Sequence, residues 1–217
     1  LQIEVSSSLG TGSYTVELED LTWNPTSQSA LWVRNTPLQI TDEASGQLLA
    51  TFNSLTLRLI RGSRIDIIAN CRAGAADTTV ELHSGHLGFT TISAAAALGM
   101  ASATVNIADL DGDGAAVTCV GPAGTGIHRS YINQALGSGA MFSSLLGSIA
   151  VGPGASGSAI QTDPASGYRA VGAAVSNMRV LVAFSLTAND LAGLNSIFAI
   201  QPLPADVARR QFVGADL

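Results

Sequence analysis

The sequence predicts a mainly β protein, an antiparallel β-sandwich or jelly-roll-like domain with one or two short helices, and three observations carry this. The stretch Tyr168 to Ile200 has an apolar centre, Met178 to Thr187, in which Val180, Val182, Phe184 and Leu186 alternate with Leu181, Ala183, Ser185 and Thr187. So short a run, rich in β-branched residues, reads as a strand covered on both faces. Turn signals recur about every eight to twelve residues, the spacing of strands in sandwiches and barrels. Finally, charged residues make up 12% and aromatics 5% of 217 residues, with 23 glycines, so the core must be packed by Ala, Val, Leu and Ile. A chain of this length can bury such a core, and disorder over most of it is excluded.

The elements follow in order. Leu1 to Val5 alternates apolar and polar, and Ser6 to Ser13 reads as a flexible Gly/Ser joint. Tyr14 to Leu18 is a half-buried strand with Tyr14, Val16 and Leu18 inward. Asn24-Pro25 starts a turn, Ala30 to Val33 and Leu38 to Thr41 are short strands, and Asp42 to Gly46 is polar. Leu48 to Ile60 and Arg64 to Cys71 form a hairpin about Arg61-Gly62-Ser63. Thr78 to Leu82 and Leu87 to Ile92 are strands parted by His83-Ser84-Gly85-His86. Ala94 to Ala103 is the best helical stretch by composition, although Gly99 weakens it. Thr104 to Ala108 and Ala115 to Val120 are strands around an acidic turn; Arg129 to Leu136 is one or two helical turns; Phe142 to Val151 is again strand. The strands Tyr168 to Ser176 and Ser196 to Leu203 are natural neighbours of the apolar centre, and Ala205 to Phe212 is a short terminal helix. The domain reading is an extended segment 1–13 available for exchange with a neighbour, a sandwich over 14–204, and a C-terminal tail or short helix over 205–217.

Composition removes several function classes. A net charge of −6 with ten scattered arginines and no lysine offers no positive groove for nucleic acid. No apolar run reaches the roughly 18 to 20 residues that span a bilayer. The sequence begins at Leu1 rather than Met and shows no basic-then-apolar leader, as expected either of a chain whose export signal has been removed or of one that has itself been trimmed. Low charge with abundant Ser, Thr and Gly resembles exported surface proteins. Cys71 and Cys119 are either an extracellular disulfide closing a long loop or two buried free thiols.

Among the motifs, Asp109-Leu110-Asp111-Gly112-Asp113-Gly114 is the sharpest. Carboxylates at alternate positions before a glycine suit Ca²⁺, a hard cation that takes about six to eight oxygens. The run resembles the first half of the calcium loops of helix-loop-helix and integrin-type propeller families, which implies Asp109, Asp111 and Asp113 as ligands. It departs from the former at the twelfth loop position, Val120, where a bidentate glutamate belongs. The alternative is a hydrated acidic hairpin turn.

Gly154-Ala155-Ser156-Gly157-Ser158, followed by Val171-Gly172 and Ser176, resembles the nucleophile segment of trypsin-like serine proteases, and Ile68-Ala69-Asn70-Cys71 resembles the segment carrying their histidine. Asn70 cannot act as the base that activates a serine. The resemblance therefore implies at most an inactive relative, and no catalytic residue is assigned. His83-x-x-His86 lacks helical spacing and a nearby Cys or Glu for zinc. Trp23 and Trp32 read as core. Arg58 and Arg61 are placed to pair with Asp66 at a charged strand edge. Leu181 to Pro204, strand, polar turn, strand and closing prolines, is similar to the last hairpin of exported bacterial β-sandwich proteins sorted by a Pro-Glu-Pro signal, without the sorting tail.

The leading expectation is a structural subunit of an extracellular, cell-surface or virion assembly: filament, surface layer, coat or decoration. It would be a homo-oligomer or polymer joined through strand edges and ordered termini. The rivals are a calcium-stabilised module binding carbohydrate or protein, and the inactive protease relative.

Overall fold

Alternation with a period of two places side chains on opposite faces of a strand. The chain uses it throughout. In Thr78–His83, for example, Thr78, Val80 and Leu82 are buried while Thr79, Glu81 and His83 face outward. A computed structural model describes residues 1–60, 63–135 and 138–204. Its strands, in chain order, are β1 (Gln2–Ser7), β2 (Gly10–Thr15), β3 (Thr22–Asn24), β4 (Ser29–Arg34), β5 (Leu38–Thr41), β6 (Leu48–Ile60), β7 (Arg64–Ala73), β8 (Thr78–His83) and β9 (Leu87–Ile92). The second half supplies β10 (Ala97–Ala108), β11 (Ala115–Cys119), β12 (His128–Ala135), β13 (Ser138–Leu145), β14 (Ile149–Val151), β15 (Ser156–Asp163), β16 (Arg169–Ala170), β17 (Val175–Leu186) and β18 (Leu191–Pro202). The helix content of the described residues is one 3₁₀ turn, Leu18–Asp20. None of their helices is long and apolar enough to cross a membrane.

Two nine-stranded antiparallel sheets pack face to face as a β-sandwich, the expected class. The first runs β13-β12-β17-β8-β1-β2, with β9, β11 and β14 attached; the second runs β15-β10-β18-β7-β6-β4-β3, with β5 and β16 attached. The apolar centre of the sequence is β17, the spine of the first sheet. It pairs with β8 and β9 in succession and with β11 and β12 in succession. Val180 to Phe184 is buried at every position, so this strand is covered on both faces as its composition requires.

Its chain neighbours are not its sheet neighbours. Only Arg169–Ala170 of the run before it is strand, pairing with β10, and β18 crosses to the second sheet between β10 and β7. The helix expected over Ala94 to Ala103 is instead β10. Ala97, Gly99, Ala101, Ala103, Val105 and Ile107 line its inner face. Small residues are needed there: a Cβ on Gly99 would lie 2.6 Å from the Phe142 ring, itself stacked on Phe198 at 5.3 Å. Tertiary packing overrides alanine's helix propensity. The stretch expected to be helical from Arg129 is strand β12, in which Asn133 has φ 51°.

Further differences concern connections. The Gly/Ser joint is a hairpin of β1 and β2, and β1 also pairs with β8 inside its own sheet. The acidic turn is a crossover from the second sheet (β10) to the first (β11), not a hairpin. The β6–β7 hairpin pairs as expected, Ile60 opposite Arg64. Asp66 pairs with Arg64 at 2.7 Å rather than with Arg58, and Arg61 lies outside the described residues. So does the expected helix Ala205 to Phe212. Cys71 and Cys119 are free, so no disulfide joins them; burial pushes the Cys71 thiol up to about 12, and Cys119 donates to Thr125 O at 2.6 Å. Trp32 packs against the core, whereas Trp23 is half exposed. Buried polar contacts bridge the layers: His128 Nδ1 of β12 meets Ser196 Oγ of β18 at 2.7 Å, both fully buried, and Thr78 Oγ1 of β8 donates to Leu49 O of β6 at 3.1 Å.

Candidate functional site

At one end of the sandwich the β10–β11 and β17–β18 crossovers meet. Asp109 closes β10 and turns its carboxylate back over its own loop, accepting N–H groups from Asp111 (3.1 Å), Gly112 (2.8 Å), Gly114 (3.1 Å) and Gly154 (2.5 Å). These donors, Gly154 and Gly112 foremost, favour the charged form and hold its pKa down at about 2. Positive φ angles at Gly112 (90°) and Gly114 (103°) let the chain turn tightly enough to present those N–H groups.

Asp190, fully buried on the opposite crossover, accepts from Leu110 N at 3.1 Å and from Thr187 Oγ1. Carboxylate oxygens of Asp109, Asp113 and Asp190 lie within 4.8 Å of one another. The Asp113 carboxyl is raised above its ordinary range, first by its hydrogen bond with Asp111 and then by the charge around it. Two of the three sequence-nominated ligands, Asp109 and Asp113, thus converge. Asp111 instead accepts from Asn189 at 3.0 Å, and Asp190 takes its place in the cluster. Only the polar turn Thr187-Ala188-Asn189-Asp190 hinted at this from sequence.

Beside this corner, the outer face of the second sheet carries a shallow groove of about 510 Å³ lined by Asn70, Asn106, Ser156, Ser158, Leu191 and Gly193 among others. The two segments that resemble a serine protease therefore border one groove, but Asn70 on β7 and Ser156 on β15 stand three inter-strand gaps apart and do not meet. No histidine or carboxylate lines the groove, so Ser156 has no base there. Moreover Gly154-Ala155-Ser156 leads into strand β15 instead of an elbow presenting a nucleophile.

A third grouping was missed because spacing was weighed for a helix. Glu81 and His83 alternate onto one face of β8, His83 Nε2 stands 3.1 Å from Glu81 Oε2, and Glu4 sits directly opposite Glu81 on β1. Ligand atoms of Glu4, Glu81 and His83 lie within 4.8 Å of one another. His86 is not in this group. A strand motif Glu-x-His was legible in the sequence; the partner Glu4 was not.

One long flank of the sandwich also matters. There β13 ends the first sheet and β15 the second, and a cleft of about 340 Å³ runs between them, lined by Met141 to Leu145 and Gln161 to Asp163. Two side chains staple the cleft. Gln161 Oε1 accepts from Leu146 N at 2.7 Å. Arg169 binds Asp163 through Nε and Nη2, each at 2.9 Å, donates to Phe142 O at 2.6 Å and lies 4.0 Å over the Phe142 ring. No strand among the described residues pairs with the outer edge of β15.

Layering and site together define an antiparallel β-sandwich with a polar groove, an acidic corner and an open flank. No family model matches the chain, and no curated protein matches it. Among solved structures it is similar to TmCBM61 in complex with β-1,4-galactotriose, at 6% sequence identity and a TM-score of 0.31, over 84% of this chain and 86% of that one.

Proposed function

We propose that the protein is a structural β-sandwich subunit that joins copies of itself through the free edge of β15. The observation behind this reading is the strand itself: eight residues at the end of a sheet, without charge or proline from Ser156 to Thr162. Sheet edges that stay monomeric are blunted by charge, proline, bulges or covering segments. An antiparallel copy on β15 would add about eight backbone hydrogen bonds, each contributing about 1 kcal/mol net. Association costs about 4–15 kcal/mol in lost freedom, so the ladder alone gives a weak contact. Ile160, 70% exposed, supplies apolar surface to be buried with it. Sedimentation and negative-stain microscopy at rising concentration should show oligomers or fibres that Ile160→Lys disperses. A monomer at high concentration overturns this reading.

A second reading, a calcium-stabilised binding module, draws on the convergence of Asp109, Asp113 and Asp190. Ca²⁺ there would neutralise neighbouring carboxylates and tie the two crossovers together. A melting temperature that rises with Ca²⁺ and falls with chelator supports it; chelator-insensitive melting removes it.

A further inference from the structure

We infer that the groove over Gly193 is a binding site for a neutral oligosaccharide. The argument begins with a glycine that the fold does not require. Gly193 lies inside β18, a central strand, between Asn106 of β10 and Asn70 of β7. An interior glycine costs a strand about 0.5–1 kcal/mol against alanine and usually marks a bulge or a close approach. Neither holds here. Gly193 is not in the left-handed region, and a Cβ built on it would meet only Asn106 at 3.8 Å and Asn70 at 4.0 Å, ordinary contact distances. By contrast Gly12 and Gly126 would put a Cβ within 2.4 Å of backbone. What the missing side chain at 193 does is keep the groove open.

The chemistry of the groove selects the ligand class. Its lining carries no charged side chain, which disfavours phosphate, carboxylate and cationic ligands. The Asn70 and Asn106 amides and the Ser156 and Ser158 hydroxyls each donate and accept, as sugar hydroxyls do. Asn106 makes no side-chain hydrogen bond among the described residues, and Asn70 spends only its Oδ1, on Asn53 Nδ2 at 3.2 Å. One step along the same face stand Ile68, 46% exposed, and Ile160, able to meet the C–H faces of pyranose rings. From β15 through β10 and β18 to β7 the row crosses three inter-strand gaps, about 14 Å, which suits a short oligosaccharide better than a single sugar.

The test is an amide-resolved NMR titration of the full chain with cellohexaose, mannohexaose and xylohexaose. At least one should shift the side-chain amide signals of Asn70 and Asn106. Gly193→Leu, which fills the groove, should weaken that binding at least tenfold, as should Asn106→Ala. Gly193→Ala, whose Cβ fits, controls for folding and should melt at or above the wild-type temperature. No shift with any of the three sugars overturns the proposal, and so does affinity unchanged in Gly193→Leu. Neither variant alters the β15 edge, so loss of sugar binding with assembly intact separates this inference from the assembly reading.

Discussion

The two long flanks of the sandwich are finished differently. On one, β2 ends the first sheet and the β5 segment closes over it. Thr11 N donates to Asp42 Oδ1 at 3.0 Å, and a Cβ on Gly12 would lie 2.4 Å from Thr41 O. Glycine is what permits that approach. Asp42 is in turn held by Ser45, whose hydrogen bonds keep its carboxyl below the usual range. On the other flank β13 and β15 leave a cleft stapled by Gln161 and by Arg169, whose partner Asp163 closes a β15 that is otherwise uncharged. The covered flank is closed within the chain; on the assembly proposed above, the open one is where a neighbour would dock. The contrast shows that edge protection in this chain is applied selectively: the Asp42 carboxylate and close backbone packing cover β2, whereas β15 carries charge only at its last residue, Asp163.

Several measurements would break or sharpen that contrast. The largest effect is expected on the covered flank: Gly12→Val forces the β5 backbone aside and should destabilise by about 3 kcal/mol in denaturant unfolding. A cost under about 1 kcal/mol would mean that the two flanks are closed to similar degrees.

Acid should act next, from the open side. Burial without a counter-charge drives His128, on β12 beside β13, down to about 3 from an ordinary 6.5. The unfolded chain then binds a proton below about pH 6.5 that the folded chain refuses. Stability is full above that pH and declines toward pH 3, by about 1.4 kcal/mol per unit. Hydrogen exchange at pH 5 should quicken in β12 and β13 before β1 and β2, and His128→Gln should flatten the pH dependence. Equal exchange on both flanks would count against the contrast.

Asp109 adds a separate acid step: its carboxylate is charged down to about 2, so the support of its loop is lost only below about pH 4. Asp109→Ala, which strips an acceptor from four N–H groups, should lower the melting temperature with or without Ca²⁺. The smallest effect on stability, within about 0.5 kcal/mol, is expected for Ile160→Lys on the exposed edge, while assembly changes. A melting shift as large as that of Gly12→Val would show that Ile160 already packs within the monomer.

The sequence disclosed the class and many strand bounds because period-two patterns are local. Leu48 to Ile60 and Arg64 onward were read nearly as they fold. It did not disclose β10, since AAAALGMASA follows helix propensity until Phe142 and Phe198 need small residues beneath them. Nor did it disclose which sheet each strand joins: β17 and β18 look like a hairpin and sit in different layers. At the site, Asp109 and Asp113 stood out through their spacing. Asp190 lies 77 or more residues away along the chain and Glu4 a similar distance from Glu81, and no local pattern reveals such meetings.

The placement of β17 and β18 has a consequence for biosynthesis. Each is an interior member of its sheet, β17 between β8 and β12, β18 between β7 and β10, yet both are made last among the eighteen strands. A ribosome that has emitted everything up to residue 174 has produced two sheets each split down the middle, with their inner faces wet. Nascent chains stalled there should be protease-sensitive throughout, and resistance should arrive in one step once Pro202 clears the exit tunnel.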